Sequence, residues 1–244
     1  MREMIFELCA ETIDACLAAQ QGGADRIELC SGLSEGGLTP SHGLIRAAVA
    51  RSGLPVHVLI RPRGGNFVYS ESEIDVMRDD IEHAKNLGAA GVVFGILTPD
   101  DCVDVERTRA LVRLARPLEV TFHRAFDSAV SLAQALEDVI ATGSDRLLTS
   151  GGQKDVDAGS SALADLVLKA KQRVTIAVGG GLRLENAAAV AHVTGAAHFH
   201  GSVRRPVKEA ASFAGEDSEL MQVGACYVVE AAAVRGIIQR LNEA

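Results

Sequence analysis

The 244-residue chain has no tryptophan, and aromatic residues make up only 4% of it. Single-stranded nucleic acid is held on aromatic stacking platforms inside basic grooves, so this chain is poorly supplied for that role. Positive charge is also scarce: 24 Lys and Arg stand against 32 Asp and Glu, for a net charge of −8. Nucleic acid and anionic membranes both require a basic surface, so neither is expected as a partner. No uncharged stretch approaches the roughly 20 apolar residues that span a bilayer. The N-terminal MREMIFELCAET lacks the small-residue cleavage site of a signal peptide. Five dispersed cysteines (Cys9, Cys16, Cys30, Cys102, Cys226) are odd in number and include no CxxC pair, which speaks against a disulfide framework or a zinc ribbon. HExxH, P-loop and GxSxG motifs are missing too. A reduced, cytoplasmic setting is expected.

What the chain does have is repetition. Short apolar runs recur at Met4–Cys9, Arg26–Cys30, Val56–Arg61, Val92–Leu97, Leu118–Arg124, Asp145–Ser150, Val174–Gly179 and Ala196–Gly201. Between them, apolar residues at three- and four-residue spacing predict helices, as with Leu132, Ala135, Leu136 and Val139. The phrases GADRIEL, GAAGVVF, GSDRLLT and GAAHFHG begin at Gly23, Gly88, Gly143 and Gly195, each closing a helix and leading into an even-numbered strand. Pro40-Ser41 opens one helix, and Ser70 to Ser72 offers caps for another. Four β-α-β-α quarters predict a single-domain α/β fold, a TIM-type (β/α)8 barrel over 1–244 with a terminal helix at Gly224–Asn242. An open doubly wound sheet is the competitor. Ser212 to Ser218 is the loosest stretch and is expected to be a surface loop.

Strand parity assigns Ile27, Leu29, Val56, Val58, Ile60, Val120 and Phe122 to the helices. The barrel interior then receives Glu7, Cys9, Glu28, Cys30, His57, Arg61, Glu119, Thr121, His123, Ser150, His198 and His200. Buried groups of this polarity persist only when paired. Glu28, His57, Glu119 and His198 are expected to form a deep network, with Cys30 above Glu28 and accessible. Residues at the C-terminal ends of the strands stand where barrel enzymes place their chemistry.

Two chemistries fit that rim. Cys9 and Cys30 end adjacent strands, about 4.8 Å apart, and a thiolate pair suits Cu(I). Alternatively Glu7, Glu28 and His123 carry out proton transfer, or with His200 hold a divalent cation. Arg61 and Arg63, with Ser150, Gly151, Gly180, Gly181 and Ser202 on the late loops, would then clamp an anion, since glycine lets backbone amides approach it closely. Cys16, Cys102 and Cys226 are assigned no role.

The segments FELC, GGADRIELCSGLSEGGLTPS (22–41), IRPRGGNFVYSESE (60–73), VTFHRAFD (120–127), RLLTSGG (146–152), AVGGG (177–181) and AAHFHGSVR together resemble the CutC family of copper-homeostasis proteins. The resemblance implies a TIM-type barrel and a cytoplasmic protein of copper tolerance that binds Cu(I). It points to Cys9 and Cys30 as ligands and to a homodimer or higher form. It brings no established enzymatic reaction. Two readings follow: a copper-homeostasis protein, and a barrel enzyme acting on a small anionic or phosphorylated metabolite.

Overall fold

Each quarter of the chain carries its own boundary signals, and in a computed structural model, which describes residues 4–207 and 226–243, those signals become element ends. The order is β1 (Ile5–Ala10), α1 (Ile13–Gly22), β2 (Arg26–Leu29), α2 (His42–Arg51), β3 (Val56–Leu59), α3 (Glu71–Asn86), β4 (Gly91–Phe94) and α4 (Val105–Ala115). It continues β5 (Glu119–Phe122), α5 (Leu132–Thr142), β6 (Arg146–Thr149), α6 (Val156–Ala170), β7 (Thr175–Gly179), α7 (Ala187–Thr194) and β8 (His198–Gly201). A short hairpin of β9 (Arg205–Pro206) and β10 (Tyr227–Val228) precedes α8 (Ala231–Leu241). The proposed surface loop at 212–218 and Gly224 lie outside the described residues, and the expected terminal helix is shorter than 224–242, since residues 226–230 include β10 and the helix begins at Ala231.

Gly23, Gly143 and Gly195 close α1, α5 and α7 in the left-handed conformation, which costs glycine no Cβ clash. After Gly23 and Gly143, the aspartate two residues later ties successive strands together. Asp25 accepts from Phe6 N at 2.7 Å, and Asp145 accepts from Val120 N at 2.8 Å. Ser41 caps α2, while Ser70 and Glu73 form a reciprocal capping box on α3.

Strands β1 to β8 pair in parallel and β8 closes onto β1, so the barrel is complete and the open-sheet alternative is excluded. From β2 onward the hydrogen-bonded strands are shorter than the apolar runs. Leu118–Arg124 contracts to Glu119–Phe122 because the chain turns at His123 into a 3-10 segment, Arg124–Ser128.

The apolar core lies between strands and helices. Ile27, Leu29, Val58, Val92, Phe94, Phe122 and Phe199 pack there against helix residues such as Ile45, Ile81, Leu111 and Leu136, all nearly inaccessible to solvent. At roughly 1.5–3 kcal/mol for each large apolar side chain buried, this outer layer supplies the main driving force for folding. The interior can therefore be polar. A small apolar group, Leu59 and Val93 with Cys9 and Cys30, also lies there. Space for the imidazoles comes from glycines on neighbouring strands. A Cβ on Gly91 would sit 2.0 Å from His57 Nδ1, and one on Gly179 would sit 2.9 Å from His200 Cβ.

Candidate functional site

The floor of the barrel is an ion-pair network centred on Glu7. Its Oε2 accepts from Arg26 Nε at 2.9 Å and from Arg146 Nη1 at 2.7 Å, and its Oε1 faces His200 Nδ1 at 2.8 Å. Arg26 also donates to Glu119 at 2.8 Å and to His57 Nδ1 at 2.6 Å. Burial pushes the Glu7 carboxyl up, but Arg146, His200 and Arg26 outweigh it and hold the group well below the usual carboxylate range. Burial, reinforced by Arg26, takes His57 down to about 4, so it accepts from Arg26 as a neutral ring. Arg146, fully buried, was not singled out from the sequence.

Above this floor opens a cavity of about 410 Å³ at the C-terminal mouth of the barrel, bordered by Cys9, Glu28, His200, Arg61 and His123. Cys9 Sγ donates to Glu28 Oε1 at 3.7 Å and lies 3.7 Å from Cys30 Sγ. Ligand atoms of Cys9, Glu28 and His200 all fall within 4.8 Å of one another, the one such group of three among the described residues. With metal–sulfur bonds of about 2.3 Å, sulfurs on one ion lie up to about 4.6 Å apart, so the cysteine pair fits a shared metal. Cys30 is fully buried behind Cys9 and packs against Leu59 and Val93, without bordering the cavity. The expected accessibility is thus reversed: Glu28 reaches the cavity and Cys30, though nearer the strand end, does not, because the β2–α2 loop folds over it at Gly37.

Charge at this level is poorly matched. Burial raises the Glu28 carboxyl, and the opposing pull of His200 does not offset it. Glu28 Oε2 has no partner among the described residues. The Cys30 thiol and burial drive Cys9 well above the usual thiol range. Burial depresses His200, yet Glu28 and Glu7 outweigh it and raise the imidazole. The Glu7 contact also means that when His200 Nδ1 carries its proton, Nε2 remains for a ligand.

The other candidates separate by what they touch. His123 borders the cavity, but its Nδ1 accepts from Ala125 N at 3.2 Å, leaving the ring proton on Nε2. Burial and Arg61 take it to about 3, so it stays neutral. Glu7 does not border the cavity and its carboxylate is fully engaged. Arg61 staples two loops by donating to the carbonyls of Glu35, Gly37 and Gly65. Arg63, expected beside the mouth, turns away to Glu73 at 2.5 Å and to three backbone carbonyls. Gly180, Gly181 and Ser202 border the cavity, whereas Ser150 and Gly151 do not. Three further guanidiniums that sequence reasoning did not assign to the site border it: Arg124, Arg183 and Arg204. Cys16 is a buried helix residue pushed up to about 11 by burial.

The fold and this mouth define a TIM-barrel protein with a mixed thiol, carboxylate and imidazole group at the C-terminal ends of its strands. A model of the CutC family matches residues 4–205, and the chain belongs to that family. A CutC family protein of Chromobacterium violaceum is 49% identical over 208 residues, covering 85% of this chain and 84% of the relative. The human copper homeostasis protein cutC homolog is 45% identical over 200 residues, covering 82% of this chain and 73% of the relative. A crystal structure of the CutC protein from Streptococcus agalactiae aligns with TM-score 0.77 at 34% identity, covering 82% of this chain and 98% of that chain. More distantly, a thiamine phosphate pyrophosphorylase from Pyrococcus furiosus aligns with TM-score 0.59 at 17% identity, over 99% of this chain and 96% of that one, which shows the shared fold alone. No helix among the described residues is long and apolar enough to cross a membrane.

Proposed function

We propose that this chain is a copper-homeostasis protein that takes Cu(I) as cargo at the upper level of its barrel, through Cys9 and Cys30 with Glu28 and His200. The observation that carries this reading is the convergence of Cys9, Glu28 and His200 within 4.8 Å, with Cys30 Sγ 3.7 Å behind Cys9. Sulfur ligands suit soft metals, Cu(I) among them. The human relative's name, a copper homeostasis protein, supports the assignment. Cys9 is the entry ligand because it borders the cavity. Loading requires the buried thiols to lose their protons, and Glu28 Oε1, 3.7 Å from Cys9 Sγ, is the adjacent acceptor. The test is competition between the protein and a Cu(I) chelator. The Cys9→Ser/Cys30→Ser variant should release the metal at chelator concentrations that leave wild type loaded, and equal retention would overturn the reading.

A second reading is favoured by one observation. The cavity is far larger than a metal ion needs, and Arg124, Arg183 and Arg204 border it. A barrel enzyme acting on a small anionic metabolite would use these guanidiniums for binding. Glu28 and the neutral His123 would then stand beside the bound molecule. A crystal grown in sulfate should show the anion against these arginines; water alone there would count against this reading.

A further inference from the structure

The VTFHRAFD segment contains a carboxylate that neither reading uses. Asp127 follows β5 in the 3-10 segment, yet its side chain reaches across to the loop after β6. Its Oδ1 accepts from Gly152 N at 3.0 Å, from Ser150 N at 3.2 Å and from Thr149 Oγ1. Its Oδ2 accepts from Ser150 N at 3.1 Å, Ser150 Oγ at 2.9 Å and Arg124 Nε at 2.7 Å. Gly151 N turns instead to Thr149 Oγ1 at 2.8 Å. The amides of Ser150 and Gly152 converge on this carboxylate as backbone N–H groups do on an anion in a concave nest, while Gly151 and Gly152 hold the turn at positive φ, 76° and 70°. This nest already holds one, supplied by the chain itself.

Arg124 is fixed by the same contact. Nε bonds Asp127, Nη2 donates to Ser150 Oγ at 2.8 Å, and the guanidinium passes over Gly180 into the cavity border. A Cβ on Gly180 would lie 3.0 Å from Arg124 Cζ, so only glycine leaves that path open.

We propose that Asp127 is a specificity-determining residue: it occupies the amide nest of the β6 loop, closes that loop to phosphoryl groups, and leaves anion recognition to the guanidinium of Arg124 and its neighbours. A guanidinium receives carboxylate and phosphate alike, so the choice of a small carboxylate over a phosphoryl group rests on the filled amides of the β6 loop. A phosphoryl dianion would meet the Asp127 charge where it would otherwise find amides. The inference rests on the anion reading above and narrows it.

The test is a titration of 15N-labelled wild type and of Asp127→Ala with inorganic phosphate and with malonate, following the amides of Ser150, Gly151 and Gly152 and the Arg124 Nε. In wild type, phosphate should leave the three amides unmoved while malonate moves Arg124. Asp127→Ala should gain phosphate affinity by about tenfold or more, the effect of one hydrogen bond to a charged group, with the Ser150 and Gly152 amides shifting. Phosphate moving those amides in wild type would overturn the proposal, as would a folded Asp127→Ala that gains nothing. If Asp127→Ala does not fold, the wild-type titration decides alone. If neither probe moves Arg124, the anion reading fails, and the Asp127→Ala arm still decides whether the nest was occupied.

Discussion

Two levels of one barrel interior treat buried charge in opposite ways. On the floor, the Glu7 carboxylate meets Arg26, Arg146 and His200, and is held well below its usual range. One level up, Glu28 has a thiol for a neighbour, one oxygen without a partner among the described residues, and a raised carboxyl. Both side chains are buried, so burial alone does not separate them. The difference is the counter-charge within hydrogen-bond reach. A buried carboxylate with its cations in place is structure; one without them, at the edge of a cavity, is a candidate site.

The sharpest way to break this contrast is to exchange the two glutamates for glutamine. Glu7→Gln leaves the buried Arg146 without its anion and takes from Arg26 one of its two, and should cost about 3–5 kcal/mol in denaturant unfolding. Glu28→Gln should change stability by less than about 1 kcal/mol, since its charged form is disfavoured where it stands. Similar losses from both would erase the distinction.

Metal affinity should show the reverse preference. Cys9→Ser should weaken Cu(I) binding more than any other single change in the group, as measured by chelator competition. Glu7→Gln removes the partner of His200 Nδ1 and should weaken it by about 10–100-fold, the usual effect of losing a residue behind a metal ligand. An unchanged affinity in Glu7→Gln would uncouple the two levels.

The pH dependence separates them by sign. Glu7 is depressed in the folded state, so its contribution is present above the ordinary carboxylate range, near 4.5, and is lost as pH falls through its lower folded value. Glu28 is raised, so its contribution is the opposite, and stability declines as pH rises from 4.5 through its folded value. Subtracting the stability profile of Glu28→Gln from that of wild type should isolate this second slope. A difference that is flat with pH would show that Glu28 is not perturbed by its surroundings.

The smallest effect expected is at Arg63. Its ion pair with Glu73 is partly exposed and lies away from the cavity. Arg63→Ala should cost within about 1 kcal/mol and leave Cu(I) affinity untouched. A loss of copper would place the β3–α3 loop in the site after all.

Much of the fold could be read from the chain because its signals are local. The Gly-led phrases end helices, and the strands that follow alternate in register with a period of two, so parity sends Cys9, Glu28 and His200 inward. Arg146 was overlooked because RLLT reads as an apolar run, although the parity that takes Ser150 inward also takes Arg146. Loop conformation was not readable in this way. Whether Arg63 faces the mouth depends on Glu73, which serves the α3 cap and captures the guanidinium as well. Whether the 150–152 amides are available depends on Asp127, which lies 23 residues from Ser150. Cys30 matched in parity and spacing, yet its access is governed by the loop that folds over it at Gly37. Position on a strand follows from sequence period, while exposure at the strand's end follows from which loop closes over it.

The central claim, that the upper level is a soft-metal site and the floor is its support, is tested most directly by X-ray absorption at the copper edge of the Cu(I)-loaded protein. Sulfur scattering together with a nitrogen from His200 is predicted, with the sulfur signal reduced in Cys9→Ser. Copper coordinated only by nitrogen and oxygen, or an edge unchanged by Cys9→Ser, would contradict it.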